Sequence, residues 1–215
     1  MRTRIKICGI TRVQDAERVA DSSADAMGMI FYRKSPRDVS IEQARILSKA
    51  AKPYLTTVAV VVNPAHEFLS QLVSQVRIDR IQFHGNELQS HCEKSLRPYY
   101  KVIRVGQQSD ITDKIQQHGK ASAFLLDTYI KGQPGGTGQQ FDWSIINKTQ
   151  INKPVILAGG LTPDNVYDAV LSVQPYAVDV NSGVEIKPGI KDAIMINEFI
   201  MAVHEADQAL SKNTH

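Results

Sequence analysis

Short apolar runs rich in Val, Ile and Leu recur along the chain, each followed by a turn signal and then by apolar positions at helical spacing. They fall at Arg4 to Cys8, Ala26 to Phe31, Thr56 to Val62, Arg80 to Phe83, Lys101 to Val105, Ala123 to Leu126, Val155 to Leu157 and Ala177 to Val180. Most are too continuously apolar for a strand with one wet face, so they read as parallel strands covered on both sides. The helices between them have recognisable starts. Thr11 stands before Asp15, Ser40 precedes Gln43 in capping-box spacing, Asn63-Pro64 puts a proline in a first turn, and Pro163-Asp164 introduces a helix from Asn165 to Val173. Eight strands alternating with eight helices predict an α/β protein, and eight units favour closure into a single (β/α)8 barrel with outer helices over an open sheet.

Glycine placement separates those two architectures further. A dinucleotide-binding sheet needs G-x-G-x-x-G after an early strand, and Cys8-Gly9-Ile10-Thr11 lacks it. The glycine-rich turns come late, as Gly159-Gly160 after the seventh strand and Ser182-Gly183 after the eighth. Barrels commonly hold a phosphate there, on backbone N–H groups and the start of a short extra helix.

Composition narrows the function classes. Of 215 residues, 42% are hydrophobic and 22% charged, enough for one core without a disulfide or a metal, and no linker or low-complexity tract divides the chain. One domain is expected over residues 1–210, with 211–215 as a frayed tail. A net charge of +3, with Lys and Arg scattered, excludes a nucleic-acid surface. No apolar run approaches the roughly 18 residues of a membrane span, and the first strand begins too early for a presequence. Cys8 and Cys92 show neither disulfide-framework nor zinc spacing, so a reducing, cytoplasmic setting is expected.

Two reactive side chains sit where a barrel builds its active site. Cys8 closes the first strand and Asp127 follows Phe124-Leu125-Leu126, a base candidate and an acid candidate at matching strand ends. Each has a plainer reading: Cys8 as a small buried hydrophobe, Asp127 as a loop cap. Lys6 shares a strand face with Cys8, where it would favour a thiolate, and Asp179 on the last strand would equally hold Lys6 in an internal ion pair.

Eight segments in order carry a family resemblance: Lys6-Ile7-Cys8-Gly9-Ile10-Thr11, Ser35-Pro36-Arg37, Val61-Val62-Asn63, Gln82-Phe83-His84-Gly85-Asn86-Glu87, Leu126-Asp127-Thr128, Gly135-Gly136-Thr137-Gly138 with Phe141-Asp142-Trp143, Leu157-Ala158-Gly159-Gly160-Leu161, and Val180-Asn181-Ser182-Gly183-Val184-Glu185. Together they resemble the phosphoribosylanthranilate isomerase family of TIM barrels in tryptophan biosynthesis. Phe83 stands where that family usually has Leu. The resemblance implies an Amadori rearrangement of an aminoaldose to an aminoketose, without cofactor or metal, on a small phosphorylated substrate. It also implies Asp127 as general acid, Cys8 as general base, Arg37 on the anthranilate part, and Gly159, Gly160, Ser182 and Gly183 around the phosphate. His84 reads equally as a substrate contact or as a packed, hydrogen-bonded loop residue. The glycines between Asp127 and Phe141 suggest a lid, Trp143 and Cys92 read as packing, and monomer and homodimer both remain open. The related isomerase of histidine biosynthesis has Asp in place of Cys8 and repeated halves. A purely regulatory phosphate binder has no need of an acid and base pair.

Overall fold

The computed structural model describes residues 2–105, 111–127 and 151–212. Eight parallel strands close into a barrel in chain order: β1 (Arg4–Ile7), β2 (Ala26–Phe31), β3 (Thr56–Val61), β4 (Arg80–Phe83), β5 (Tyr99–Arg104), β6 (Phe124–Asp127), β7 (Val155–Ala158) and β8 (Ala177–Val180). β8 pairs back onto β1, matching Lys6 with Asp179. The expected strands are all present. β5 starts earlier, at Tyr99, Cys8 stands just past the end of β1, and Asp127 is the last residue of β6.

Side-chain alternation divides the apolar residues into two layers. Ile5, Ile7, Met27, Met29, Val61, Phe83, Leu126 and Val178 face outward and pack under the helices in one continuous core. Val58, Tyr100, Val102, Leu125, Ile156 and Ala158 fill the barrel interior. A strand whose two faces are both buried shows no polar alternation, so its sequence reads as an unbroken apolar run.

The described helices are α1 (Val13–Asp21), α2 (Ile41–Leu47), α3 (His66–Gln75), α4 (Gln89–Cys92), α5 (Ile111–Gln116), α6 (Pro163–Val173) and α7 (Ala193–Lys212). The helix expected between β6 and β7, the glycine-rich lid and Trp143 lie outside the described residues. α7 runs to Lys212, two residues into the segment expected to fray. Cys92 is fully buried at the end of α4.

Three helix starts differ from expectation for local reasons. Thr11 caps nothing: its hydroxyl donates to the Gly189 carbonyl at 2.5 Å, and α1 begins after Arg12. Ser40 accepts from the Gln43 N–H at 3.2 Å, but the Gln43 side chain turns away and donates to the Thr11 carbonyl, so only half a capping box forms. Asn63 adopts a left-handed φ of 45°, which delays α3 to His66. At α6 the start holds, with Pro163 in the first turn and the Asn165 side chain accepting from the Thr162 N–H at 2.8 Å. A feature not foreseen is the antiparallel pair β9 (Glu185–Lys187) and β10 (Ile190–Lys191) after β8.

The loops after β7 and β8 are locked together at Gly183. A Cβ there would meet the Leu161 carbonyl oxygen at 1.9 Å, whereas a Cβ on Gly160 would meet nothing within 4 Å. Gly183→Ala is therefore expected to lower stability by about 2 kcal/mol or more, because backbone must move. Gly160→Ala should lose only about 1 kcal/mol, through its φ of 66°. Thermal unfolding of both variants checks this, and equal losses would contradict it.

Candidate active site

The candidate groups gather at the carboxyl ends of the strands. Cys8 lies immediately after β1, 4% exposed, with its N–H donating to the Val180 carbonyl at 2.8 Å. Its sulfur faces Gly28 on β2, where a Cβ would stand 2.7 Å from Sγ and 3.1 Å from the Lys6 Nζ. The missing side chain at Gly28 is what lets the thiol and the ammonium share that space.

Lys6 and Asp179 form the ion pair foreseen as one alternative. The Lys6 Nζ donates to both carboxylate oxygens at 2.8 Å, and the two side chains are only 5% and 7% exposed. Burial alone would lower the pKa of Lys6, but Asp179 outweighs it and the ammonium is held above its ordinary value. For Cys8 the balance runs the other way. Burial pushes the thiol up, and the attraction of Lys6 pulls back against it without reversing the shift.

Asp127 ends β6 at the same mouth of the barrel. His84, just past β4, brings its Nε2 to 3.4 Å from the Asp127 Oδ2. The other ring nitrogen, Nδ1, lies 3.4 Å from the Gln82 side-chain amide. His84 therefore contacts the acid candidate, which fits the reading of a hydrogen-bonded loop residue and adds a partner, Asp127, that the sequence did not name.

Arg37 is less free than its loop position suggested. Its Nε contacts both Glu185 carboxylate oxygens at 2.9 and 3.0 Å, and its Nη2 reaches one at 2.5 Å. Glu185 is also bound by Lys191, whose Nζ donates to the carboxylate at 2.8 Å and to the Asn181 carbonyl at 2.9 Å. The Lys191 N–H reaches Asp15, which Arg12 holds in turn. Arg37 thus enters the mouth from an ordered charge network. Glu185 and Lys191 were missed as partners because nothing in their spacing ties them to residue 37.

Gly159 and Gly160 both have positive φ, 93° and 66°, and the Gly160 carbonyl accepts from the Asn165 side chain at 2.9 Å. Ser182–Val184 form one short 3-10 turn after β8. Its first N–H groups have no acceptor within the turn, and the Gly183 packing holds them beside the β7 loop. Among the described residues no cluster of three or more His, Cys, Asp or Glu could hold a metal ion, and no helix is long and apolar enough to cross a membrane.

A closed (β/α)8 barrel with a thiol, a carboxyl and paired glycine turns gathered at its carboxyl-end mouth has the architecture of the barrel enzymes, which build their active sites there. Comparison with known proteins makes that class specific. The family described as N-(5'-phosphoribosyl)anthranilate isomerase matches residues 5–202. The N-(5'-phosphoribosyl)anthranilate isomerase of Pseudomonas aeruginosa (strain LESB58) is 50% identical over 200 residues, 93% of this chain and 94% of that one. The crystal structure of the phosphoribosyl anthranilate isomerase from Thermotoga maritima superposes with a TM-score of 0.85 at 37% identity, covering 94% and 99% of the two chains. Another, of a phosphoribosyl anthranilate isomerase in complex with reduced 1-(o-carboxyphenylamino)-1-deoxyribulose 5-phosphate, gives 0.82 at 35% identity, covering 94% and 99%. The chain belongs to this family, the N-(5'-phosphoribosyl)anthranilate isomerases of tryptophan biosynthesis.

The Arg37, Glu185 and Lys191 network yields a pH test. Its two cations hold the Glu185 carboxyl below its ordinary 4.5 in spite of burial. A depressed folded-state pKa means stability that is fully present above about pH 4.5 and lost as pH falls through the folded value. Glu185→Gln should lower unfolding stability at pH 7 by roughly 3 kcal/mol, because Lys191 stays buried without its carboxylate. The gap to the wild type should shrink in denaturant titrations as pH falls below about 4.5, and a gap that is constant with pH would contradict the assignment.

Proposed function

We propose that this barrel converts N-(5'-phosphoribosyl)anthranilate into 1-(2-carboxyphenylamino)-1-deoxyribulose 5-phosphate, with Asp127 as general acid and Cys8 as general base. Asp127 gives its proton to the ribose ring oxygen as the bond to carbon 1 breaks, which leaves an open-chain iminium ion. The Cys8 thiolate then takes the proton from carbon 2, and the electron pair moves to form the enolamine. Tautomerisation of the enolamine to the ketone completes the rearrangement, with no net oxidation and no cofactor in the balance.

The observation that carries this reading is the environment of Cys8. A buried thiol next to an ammonium, at the mouth where the other polar groups converge, has a neighbour that favours its anion and opposes the larger upward push of burial. A core-packing cysteine does not need one. His84, 3.4 Å from Asp127, positions the carboxyl and so connects β4 to the acid step. Membership of the family and the product-analogue complex of a structural relative support the substrate class.

The remaining assignments follow the same division of labour. Arg37 meets the anthranilate carboxylate. Its Nε and one Nη2 hydrogen are occupied by Glu185, so Nη1 and the second Nη2 hydrogen are the donors left to face the ligand. Gly159, Gly160, Ser182 and Gly183 supply the backbone around the phosphate, where bound charge meets N–H groups without a countercharged side chain. The free thiols Cys8 and Cys92 suit a reducing cytoplasm.

Turnover of N-(5'-phosphoribosyl)anthranilate by the wild type and two variants tests the proposal. Cys8→Ser replaces the thiol by a hydroxyl that forms no useful anion at neutral pH, and Asp127→Asn keeps shape while removing the transferable proton. Each should cut kcat at least about 100-fold with the fold and product-analogue binding retained, and the double variant should be little worse than the poorer single one. Near-wild-type kcat in Cys8→Ser would return that residue to simple packing.

A further inference from the structure

At the opposite mouth, where the strands begin, a cavity of about 320 Å³ opens into the barrel. Barrels of this kind normally fill their interior with layers of bulky branched side chains. Here Ala26, Ala123 and Ala177 line the space instead, and their small side chains leave it empty of protein. The volume lies within the range of small-molecule sites.

Two further observations give the cavity a chemical preference. Arg4 and Arg80 open β1 and β4 and line it, yet neither pairs with a carboxylate among the described residues. The Arg4 guanidinium instead lies over the Tyr176 ring, 4.1 Å from its centroid. Tyr100 also lines the cavity. It is only 4% exposed, and its hydroxyl makes no hydrogen bond to any described residue. Burial pushes that phenol up, so it stays protonated and remains a donor without an acceptor.

We propose that this cavity is a second binding site, for a small aromatic carboxylate. The ring lies among the three alanines, the carboxylate meets the guanidinium forks of Arg80 and Arg4, and an acceptor on the far side of the ring takes the Tyr100 hydrogen bond. An inorganic anion would satisfy the arginines but leave the apolar walls uncovered. Cys8 and Asp127 stand at the other end of the strands, and Lys6, which also lines the cavity, is the one residue the two ends share.

Alanine-methyl NMR on the wild-type protein, titrated with 4-hydroxybenzoate, tests this directly. Ala26, Ala123 and Ala177 should shift together and saturably, with a Kd of about 1 mM or tighter, while Ala158 at the upper mouth follows a separate curve or does not move. Phenol, which lacks the charge, should bind at least tenfold more weakly, and inorganic phosphate should leave the three methyls still. Arg80→Gln, an exposed change that does not threaten the fold, should weaken binding at least tenfold. Tyr100→Phe should weaken it about threefold to tenfold. The proposal is overturned by three still methyls at 10 mM 4-hydroxybenzoate, by equal affinity for phenol, by an unchanged Kd in Arg80→Gln, or by shifts that follow protein concentration instead of ligand.

Discussion

A lysine and an aspartate buried side by side inside the barrel set the terms for the chemistry above them. Taking either charge out of water alone would cost several kcal/mol, so each requires the other. The parallel register supplies the match, placing Lys6 on β1 opposite Asp179 on β8 at the seam where the barrel closes. Closure of the sheet and ionisation of the pair are therefore one event: without β8 against β1, the ammonium next to Cys8 has no counterion. The empty side of Gly28 then lets the thiol lie against the same ammonium.

Farther out, a second charge network orders the mouth itself. Glu185 sits on the short hairpin after β8 and takes Arg37 from the β2 loop on one side and Lys191 on the other. Lys191 also ties the turn at Asn181, and its backbone reaches Asp15 on α1. Arg37 is thereby held in one geometry, which reduces the entropy it would lose on ordering against a ligand. The inner pair and the outer network have different tasks. One acts on the ionisation of the Cys8 thiol, and the other fixes the direction of the Arg37 guanidinium.

The barrel was legible in the sequence because strands covered on both faces leave continuous apolar runs, and eight of these alternate with helical spacing. Helix starts were less legible. The Asn63 turn and the diversion of Thr11 and Gln43 into contacts with distant segments are tertiary effects that local capping patterns do not contain. Cys8 and Asp127 could be picked out because strand ends are where barrels place reactive groups. The partners of Arg37 could not, since Glu185 follows 148 positions later and belongs to a hairpin too short to leave a pattern. The lower cavity was equally hidden. Ala26, Ala123 and Ala177 look like ordinary strand residues until the barrel closes and their smallness is summed across one layer.

The Lys6 ammonium, held in place by Asp179, lies against the Cys8 thiol and acts on its ionisation. The direct measurement is the pH dependence of Cys8 alkylation by iodoacetamide, with the modified residue identified by mass spectrometry. Cys92 interferes little, because burial pushes its thiol up to about 12. The comparison is between the wild type and the double variant Lys6→Met with Asp179→Asn, which removes both charges and strands neither. The attraction of Lys6 on the thiolate exceeds the repulsion from Asp179, so the alkylation midpoint should move to higher pH in the variant. A midpoint that stays in place or falls would mean that Lys6 does not support the thiolate, and the proposed base would lose its physical basis.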